Sequence, residues 1–301
     1  MHIHLVDGTW ELFRCFYGAP SRTNDEGIEI GAVRALCGTL LSLLREPEVT
    51  HVAVAFDTVI ESFRNELFAG YKTGAGIDPA LFSQFPLAER ATRALGLVTW
   101  SMIEFEADDA IATGAWRFAR APGVERVVVC SPDKDLAQCV GDGPAPVVQL
   151  DRKQAKLFDT AGVRERLGVA PTQVPDLLAL VGDDADGIPG LPGFGAKTAA
   201  ALLQRFGSLE AIPDDGAAWG TQRGAARLAA TLCARRDDAR LYRTLATLRA
   251  DVPLREGIGE LRWRGPDVAA LQQVAEQLRD PRLVDRAKEA AAVKGATAAG
   301  R

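Results

Sequence analysis

The chain has 301 residues, 47% hydrophobic and 25% charged, enough for one large domain or two smaller ones with real cores, which excludes a disordered protein. Its 40 acidic and 35 basic side chains leave a formal charge of −5. That balance argues against a nonspecific nucleic-acid binder working by net charge, but not against a nuclease, whose metal site concentrates acid in one place.

The chain opens with "MHIHLVDG", which has no basic region followed by an apolar core, so no signal peptide is expected. No apolar run reaches the roughly 18 residues a membrane span needs. Cys15, Cys37, Cys130, Cys139 and Cys233 contain no CxxC pair, and their odd number leaves one unpaired. Reduced thiols in a cytoplasmic protein without a membrane partner follow. The three histidines, His2, His4 and His51, lie in or beside strand-like segments, which disfavours zinc.

Short apolar runs then alternate with helical patterns. "HIHLV" (2–6), "HVAVAF" (51–56), "LVTW" (97–100), "RVVVC" (126–130) and "VVQL" (147–150) read as buried strands. "GAVRALCGTLLSLL" (31–44) and "PLAERATRALG" (86–96) read as helices, and "GYKTGAGIDPALF" (70–82) as a Gly-containing loop. Strands alternating with helices predict an α/β fold, a mainly parallel sheet covered on both faces, with the strand order left open. From about residue 160 the chain is helix-like throughout, including 198–207 and the long stretch 226–248. The Ala- and Gly-rich tail 287–301 reads as a frayed helix end or a disordered segment.

Three of these strands run into acids: Asp7, Asp57 and, through "SPDKD", Asp133 and Asp135. One acid after one strand is ordinary turn chemistry, but three along one edge of a parallel sheet place carboxylates where α/β sites form. "FEADDA" adds Glu106, Asp108 and Asp109 at a helix start. The helix dipole alone would favour acids there by about 0.3–1 kcal/mol each. "GDDADG" adds Asp183, Asp184 and Asp186, and Phe194 rules out an EF-hand. Carboxylates without His or Cys suit hard cations such as Mg²⁺ or Mn²⁺, and two such ions about 4 Å apart promote phosphodiester cleavage.

"GIPGLPGFGAKTAAALLQRFGSL" (187–209) places Gly190, Gly193 and Gly195 before a helix. It is not a P-loop, because Ala196 separates Gly195 from Lys197. Glycines before a helix let backbone N–H groups approach a phosphate, although most such turns simply join two helices.

These residues resemble the bacterial 5′–3′ exonuclease/flap endonuclease family, the 5′-nuclease domain found at the start of DNA polymerase I and also standing alone. "LVDGTWELFRCFY", "VAFDTVIESFRNELFAGYK", "EFEADDAIA", "SPDKDLAQ" and "GDDADGIPGLPGFGAKTAAALL" follow the family's order over most of residues 3–210, and "TLATLRADVPL" (244–254) resembles its closing segment. Any one piece is weak; the ordered set is specific. The resemblance implies a PIN-like α/β domain over 1–160 with an arch loop near 70–85. A helical region over 161–285 follows, carrying a helix-two-turn-helix (187–209), with a flexible tail over 286–301. No polymerase is expected to be attached.

The resemblance also implies nine metal carboxylates: Asp7, Asp57, Glu106, Asp108, Asp109, Asp133, Asp135, Asp183 and Asp186, with Asp184 at a variable position. They would hold two Mg²⁺ or Mn²⁺ ions. Arg64 and Lys72 would act on the scissile phosphate, with Tyr71 stacking or positioning. Gly190, Gly193, Gly195 and Lys197 would grip duplex DNA, with K⁺ bound at the hairpin. The implied partner is DNA with 5′ ends, flaps or nicks, including RNA/DNA primer junctions, handled by a monomer. The chain departs from the family pattern at Ala75, where Arg is usual, and at Gly187, where Asn is usual. Two alternatives stand beside this reading. One is a DNA-structure-binding protein of the same fold without turnover, favoured by Ala75 and the acidic balance. The other is a PIN-type ribonuclease, disfavoured by the length and the hairpin. Arg14 is a candidate phosphate contact or partner of a metal-site acid. The run Arg235, Arg236, Arg240 and Arg243 is a candidate DNA contact or a solvated face.

Overall fold

Val-rich segments become strands because β-branched side chains pack well in a sheet buried on both faces. The computed structural model, which describes residues 1–299, places β1 (His2–Asp7), β2 (Val49–Asp57), β3 (Val98–Met102), β4 (Arg126–Cys130) and β5 (Val147–Asp151) in one parallel sheet ordered β3-β2-β1-β4-β5. The five expected strands agree with these to within two residues at either end. β6 (Lys156–Phe158) closes one edge antiparallel to β5. It is only three residues long, too short to show a period of two, and follows Ala155 at φ 52°. Chain order reverses between β1 and β4. That switch point opens a crevice at the carboxyl ends of these two strands.

Helices cover both faces. α1 (Gly8–Gly18) starts directly behind β1 and is capped by Asp7, whose Oδ1 accepts the Trp10 N–H at 2.8 Å. α2 (Gly31–Arg45) follows, and its stripe Leu36, Leu40, Leu43 and Leu44 is buried. Next come the short α3 (Phe63–Leu67) and α4 (Pro79–Phe82), then α5 (Phe85–Ala94). α6 (Ala107–Phe118) packs on the opposite face through Ile111, Ala115 and Phe118. A second core forms under α7 (Thr160–Leu167), α8 (Val174–Val181), α9 (Ala196–Phe206), α10 (Ala225–Ala234) and α11 (Arg236–Ala246). The stretch 226–248, helical in its spacing throughout, is broken at Arg235, where φ −125° and ψ 25° leave the helical region.

The chain then returns to its first core. α12 (Ile258–Leu261), α13 (Val268–Gln277) and α14 (Leu283–Ala299) follow. Leu271, Leu278, Leu283, Ala287 and Ala290 share one apolar cluster with α2 and α5. The helical region expected over 161–285 thus also packs α13 against the first core. The tail read as a frayed helix end or a disordered segment is helical to Ala299; residues 300–301 lie outside the described residues. Low-complexity composition suggested looseness, but alanine is the best helix former, and its small side chain lets α14 lie close against α2. Among the described residues no helix is long and apolar enough to cross a membrane. All five cysteines are free, and only Cys233 is exposed.

His4 on β1 is 3% exposed, and its Nδ1 has no partner. Burial, helped by His2, Arg152 and Lys294, lowers its pKa to about 3; Arg152 is itself paired with Glu11. The unfolded chain therefore takes up a proton between about pH 6.5 and pH 3 that the folded chain refuses. This stability is present above that window and lost as pH falls through it. The loss between pH 7 and pH 5 is expected to be about 2 kcal/mol smaller in His4→Leu than in wild type. Urea midpoints at the two pH values measure it, and equal losses would refute it.

Candidate metal centre

The sheet topology carries acids from distant parts of the sequence to one edge. Asp7 and Asp57 are the last residues of β1 and β2. Asp133 and Asp135 follow β4, the strand beside β1 on its other side. Glu106 is the N-cap of α6, with Asp108 and Asp109 in its first turn. Asp183 and Asp186 lie in the turn after α8, which is closed by paired backbone bonds between Asp183 and Ile188 at 2.8 Å.

Asp135, Asp183 and Asp186 each offer an oxygen within 4.8 Å of the other two. Asp135 is buried, and its Oδ1 has no hydrogen-bond partner. Burial, then Asp133, Asp186 and Asp183, drive its pKa well above the carboxylate range. The same pattern runs along the edge. Burial raises Asp133, with the Asp135 N–H pulling against it. Burial, then Asp7 and Asp133, push Asp108 well up. Burial pushes Asp7 up to about 7, against the Trp10 N–H and the Ser131 hydroxyl and with Asp57 and Asp133 adding to it. Burial raises Asp57, with Lys72 opposing. An unpartnered buried carboxylate oxygen facing other carboxylates is costly without a cation. An all-oxygen donor set of this kind fits a hard divalent ion.

Two expected ligands are already occupied. Asp109 is fully buried and receives both terminal nitrogens of Arg64 at 2.7 and 2.8 Å, together with the Arg249 N–H at 2.9 Å. Glu106 accepts from Ser62 Oγ at 2.7 Å, Arg64 at 3.1 Å and Lys72 Nζ at 2.8 Å. Burial alone would raise Glu106, but Lys72 and Arg64 outweigh it and bring it down to about 2. Asp109 therefore anchors α6 to α3 and to the segment after α11.

Arg64 differs most from expectation. It is 1% exposed, and besides the two acids it donates to the carbonyls of Leu245 at 2.7 Å and Thr247 at 3.1 Å. All five of its N–H groups are engaged, leaving none for a phosphate. Tyr71 is likewise buried, with its hydroxyl 3.3 Å from Glu106, so its ring is not an open stacking surface. Lys72 Nζ lies 2.8 Å from Glu106 and 3.1 Å from Asp186, at the mouth of the cluster.

Four supporting residues carry no acid signature. Thr9 receives the Asp57 N–H at 2.8 Å, and Ser131 donates to Asp7 at 2.9 Å. Gln138 donates to the Asp135 carbonyl at 2.8 Å, and Lys134 pairs with Asp183 at 2.9 Å. Only Lys134, set between two acids in "SPDKD", was open to notice in the sequence.

The hairpin joins α8 to α9. Gly190 is buried at φ 65°, and a Cβ there would lie 2.4 Å from the backbone of Val181 and Gly182, so it shapes the turn. Gly193, Gly195 and Lys197 are exposed. Gly187 has φ 70°, and a Cβ would stand 2.3 Å from the Gly70 carbonyl. The departure from Asn thus fits a close approach of the 70–72 segment, whose Lys72 N–H donates to the Asp186 carbonyl at 2.9 Å. Ala75 is exposed in the loop after Lys72 and offers no charge there. Every arginine of the basic run is paired with an acid. Arg235 meets Asp238, Arg236 meets Asp214, Arg240 meets Asp237 and Arg243 meets Glu210. Arg14 pairs with Glu11, which is not one of the clustered acids.

Comparison with known proteins matches residues 2–168 to the model of the 5′-3′ exonuclease N-terminal resolvase-like domain, and residues 169–269 to that of the 5′-3′ exonuclease C-terminal SAM fold. DNA polymerase I of Rhizobium leguminosarum is 40% identical over 262 residues, covering 84% of this chain and 25% of the polymerase. The chain thus spans about a quarter of that relative's length. The 5′-3′ exonuclease of Aquifex aeolicus is 29% identical over 277 residues, covering 92% of this chain and 91% of that protein. Among solved structures, the bacteriophage T5 flap endonuclease in complex with DNA and metal ions shares the fold, with a TM-score of 0.65 at 19% identity, over 98% of this chain and 100% of that one.

Proposed function

Because the chain belongs to the bacterial 5′–3′ exonuclease family, we propose that it hydrolyses DNA phosphodiester bonds at or near a 5′ end, nick or flap, including RNA primers annealed to DNA. The observation that carries this reading is the Asp135–Asp183–Asp186 cluster, with its unpartnered buried oxygen, beside the partly exposed Lys72. Asp135, Asp183 and Asp186 would hold one divalent ion. Asp7, Asp57 and Asp108, with Asp133 between the groups, would hold a second. Glu106 and Asp109 act through the side chains that bind them. Divalent ions there supply positive charge and lower the pKa of water, with Mg²⁺ or Mn²⁺ favoured by the oxygen donors.

The chain's own residues then position the reaction. A water oxygen adds to phosphorus and loses its proton to solvent as the bond to the 3′ oxygen breaks, the electron pair leaving on that oxygen, which takes up a proton to give a 3′ hydroxyl and a 5′ phosphate. Lys72 neutralises charge on the non-bridging oxygens. The exposed hairpin at Gly193, Gly195 and Lys197 holds duplex through backbone N–H groups, with K⁺ a candidate ion there. Such binding is independent of sequence and weakens with salt. Residues 1–160, together with Asp183 and Asp186 from the turn after α8, carry the chemistry, and the hairpin before α9 holds the duplex. The free thiols fit a reducing cytoplasm, where we propose that the chain works as a monomer.

Ala75 favours a second reading, DNA-structure binding without turnover. Both are tested with a 5′-flap DNA labelled at the flap end, incubated with Mg²⁺, Mn²⁺ or EDTA. Metal-dependent release of short products, lost in Asp133→Ala, is expected. Lys72→Met is expected to lower kcat by roughly 10²–10³-fold with flap binding retained. Binding without cleavage in either metal would select the second reading.

A further inference from the structure

We propose that Gln149 and Arg166 are positioning residues for the loop carrying Asp133 and Asp135, an inference that rests on the metal-centre reading above. Neither residue is acidic, and neither lies in a motif that carries the family resemblance. Gln149 is fully buried in β5, in register with Val129 of β4, the strand that leads into this loop. Its Nε2 donates to the Asp133 carbonyl, and its Oε1 accepts from Arg166 Nη1 at 3.2 Å. The second terminal nitrogen of Arg166 donates to the Pro132 carbonyl at 2.6 Å. The guanidinium lies over the Phe158 ring, 4.9 Å from its centroid.

These contacts form a relay with one possible polarity. A guanidinium carries donors only, so the Gln149 oxygen must face Arg166 and its NH₂ must face Asp133. Arg166 thereby sets the amide, and the amide holds the Asp133 peptide. Two consecutive carbonyls, of Pro132 and Asp133, are gripped from the β5 and α7 side. On the other side Ser131 Oγ donates to Asp7 at 2.9 Å, and Asp133 Oδ1 accepts the Asp135 N–H at 3.0 Å. The loop is therefore clamped through its backbone while its carboxylates stay turned towards the other acids. Partners that orient metal ligands from behind typically change metal affinity or activity about 10–100-fold when removed.

Gln149→Glu preserves shape and the Arg166 contact but turns the donor facing the Asp133 carbonyl into an acceptor. Calorimetric titration of the full chain with Mn²⁺, without DNA, is expected to show roughly 10-fold weaker binding than wild type. Flap cleavage by the variant should recover as Mg²⁺ is raised, with KM for the flap unchanged, a pattern that a general packing defect does not produce. Arg166→Met, at an exposed position that keeps the core intact, should weaken Mn²⁺ binding in the same direction. Wild-type Mn²⁺ affinity in either single variant, or a cleavage loss that metal does not restore, overturns the positioning role alone. Failure of the wild type to bind Mn²⁺ overturns both this role and the metal-centre reading.

Discussion

Asp135→Asn is expected to lose metal-dependent flap cleavage while unfolding at a higher temperature than wild type in chelator. The two effects have one cause. Asp135 is buried against Asp183 and Asp186, and one of its oxygens has no partner. In the absence of metal the charge is a liability; an amide of the same shape removes the repulsion and can donate to a neighbouring carboxylate. A gain of about 1 kcal/mol corresponds to roughly 1–2 °C in a chain of 301 residues. With metal the order should reverse, because an ion that binds only the folded state stabilises by mass action, and the variant has lost a ligand. Cleavage should fall by roughly 10²-fold or more, beyond what the loss of an outer partner costs. Melting curves with EDTA and with Mg²⁺, run beside the flap assay, measure all three. A variant that is less stable in EDTA, or that cleaves like wild type, would refute the assignment of Asp135 as a ligand.

Arg64→Met should be the most destabilising single change at this site, costing about 3–5 kcal/mol, because it strands a buried carboxylate. Arg64 and Asp109 are both essentially inaccessible, and their paired contact at 2.7 and 2.8 Å is the main neutralisation of Asp109. Removing the charge of Asp109 in the same chain, as Arg64→Met with Asp109→Asn, should recover part of the loss, a coupling a double-mutant cycle detects. Arg64→Lys should restore little, because one ammonium offers three donors where five are in use. A direct contact to the scissile phosphate makes the opposite prediction: unchanged urea midpoints with kcat lost. Urea unfolding of the single and double variants separates the two roles. Equal midpoints for Arg64→Met and wild type would return Arg64 to the phosphate.

Which acids gather at one edge was legible in the sequence because strand ends and helix starts have local signatures. Asp7, Asp57 and the "SPDKD" pair each follow a Val-rich run, and Glu106 opens a helix, so parallel pairing brings them together. The division of labour among them was not legible. Asp108 and Asp109 are adjacent in the sequence, yet one faces the acid cluster and the other is saturated by Arg64, whose own partners at Leu245 and Thr247 lie more than 180 residues away.

Local patterning thus determined the five parallel strands, the helices beside them and the identity of the clustered acids, because backbone geometry and hydrophobic period act over a few residues. Tertiary structure alone decided the return of α13 and α14 to the first core, the burial of Arg64 and Tyr71, and the relay from Arg166 through Gln149 to Asp133. Those outcomes depend on which distant side chain fills a given space and satisfies a given buried donor, and no spacing along the chain encodes that choice.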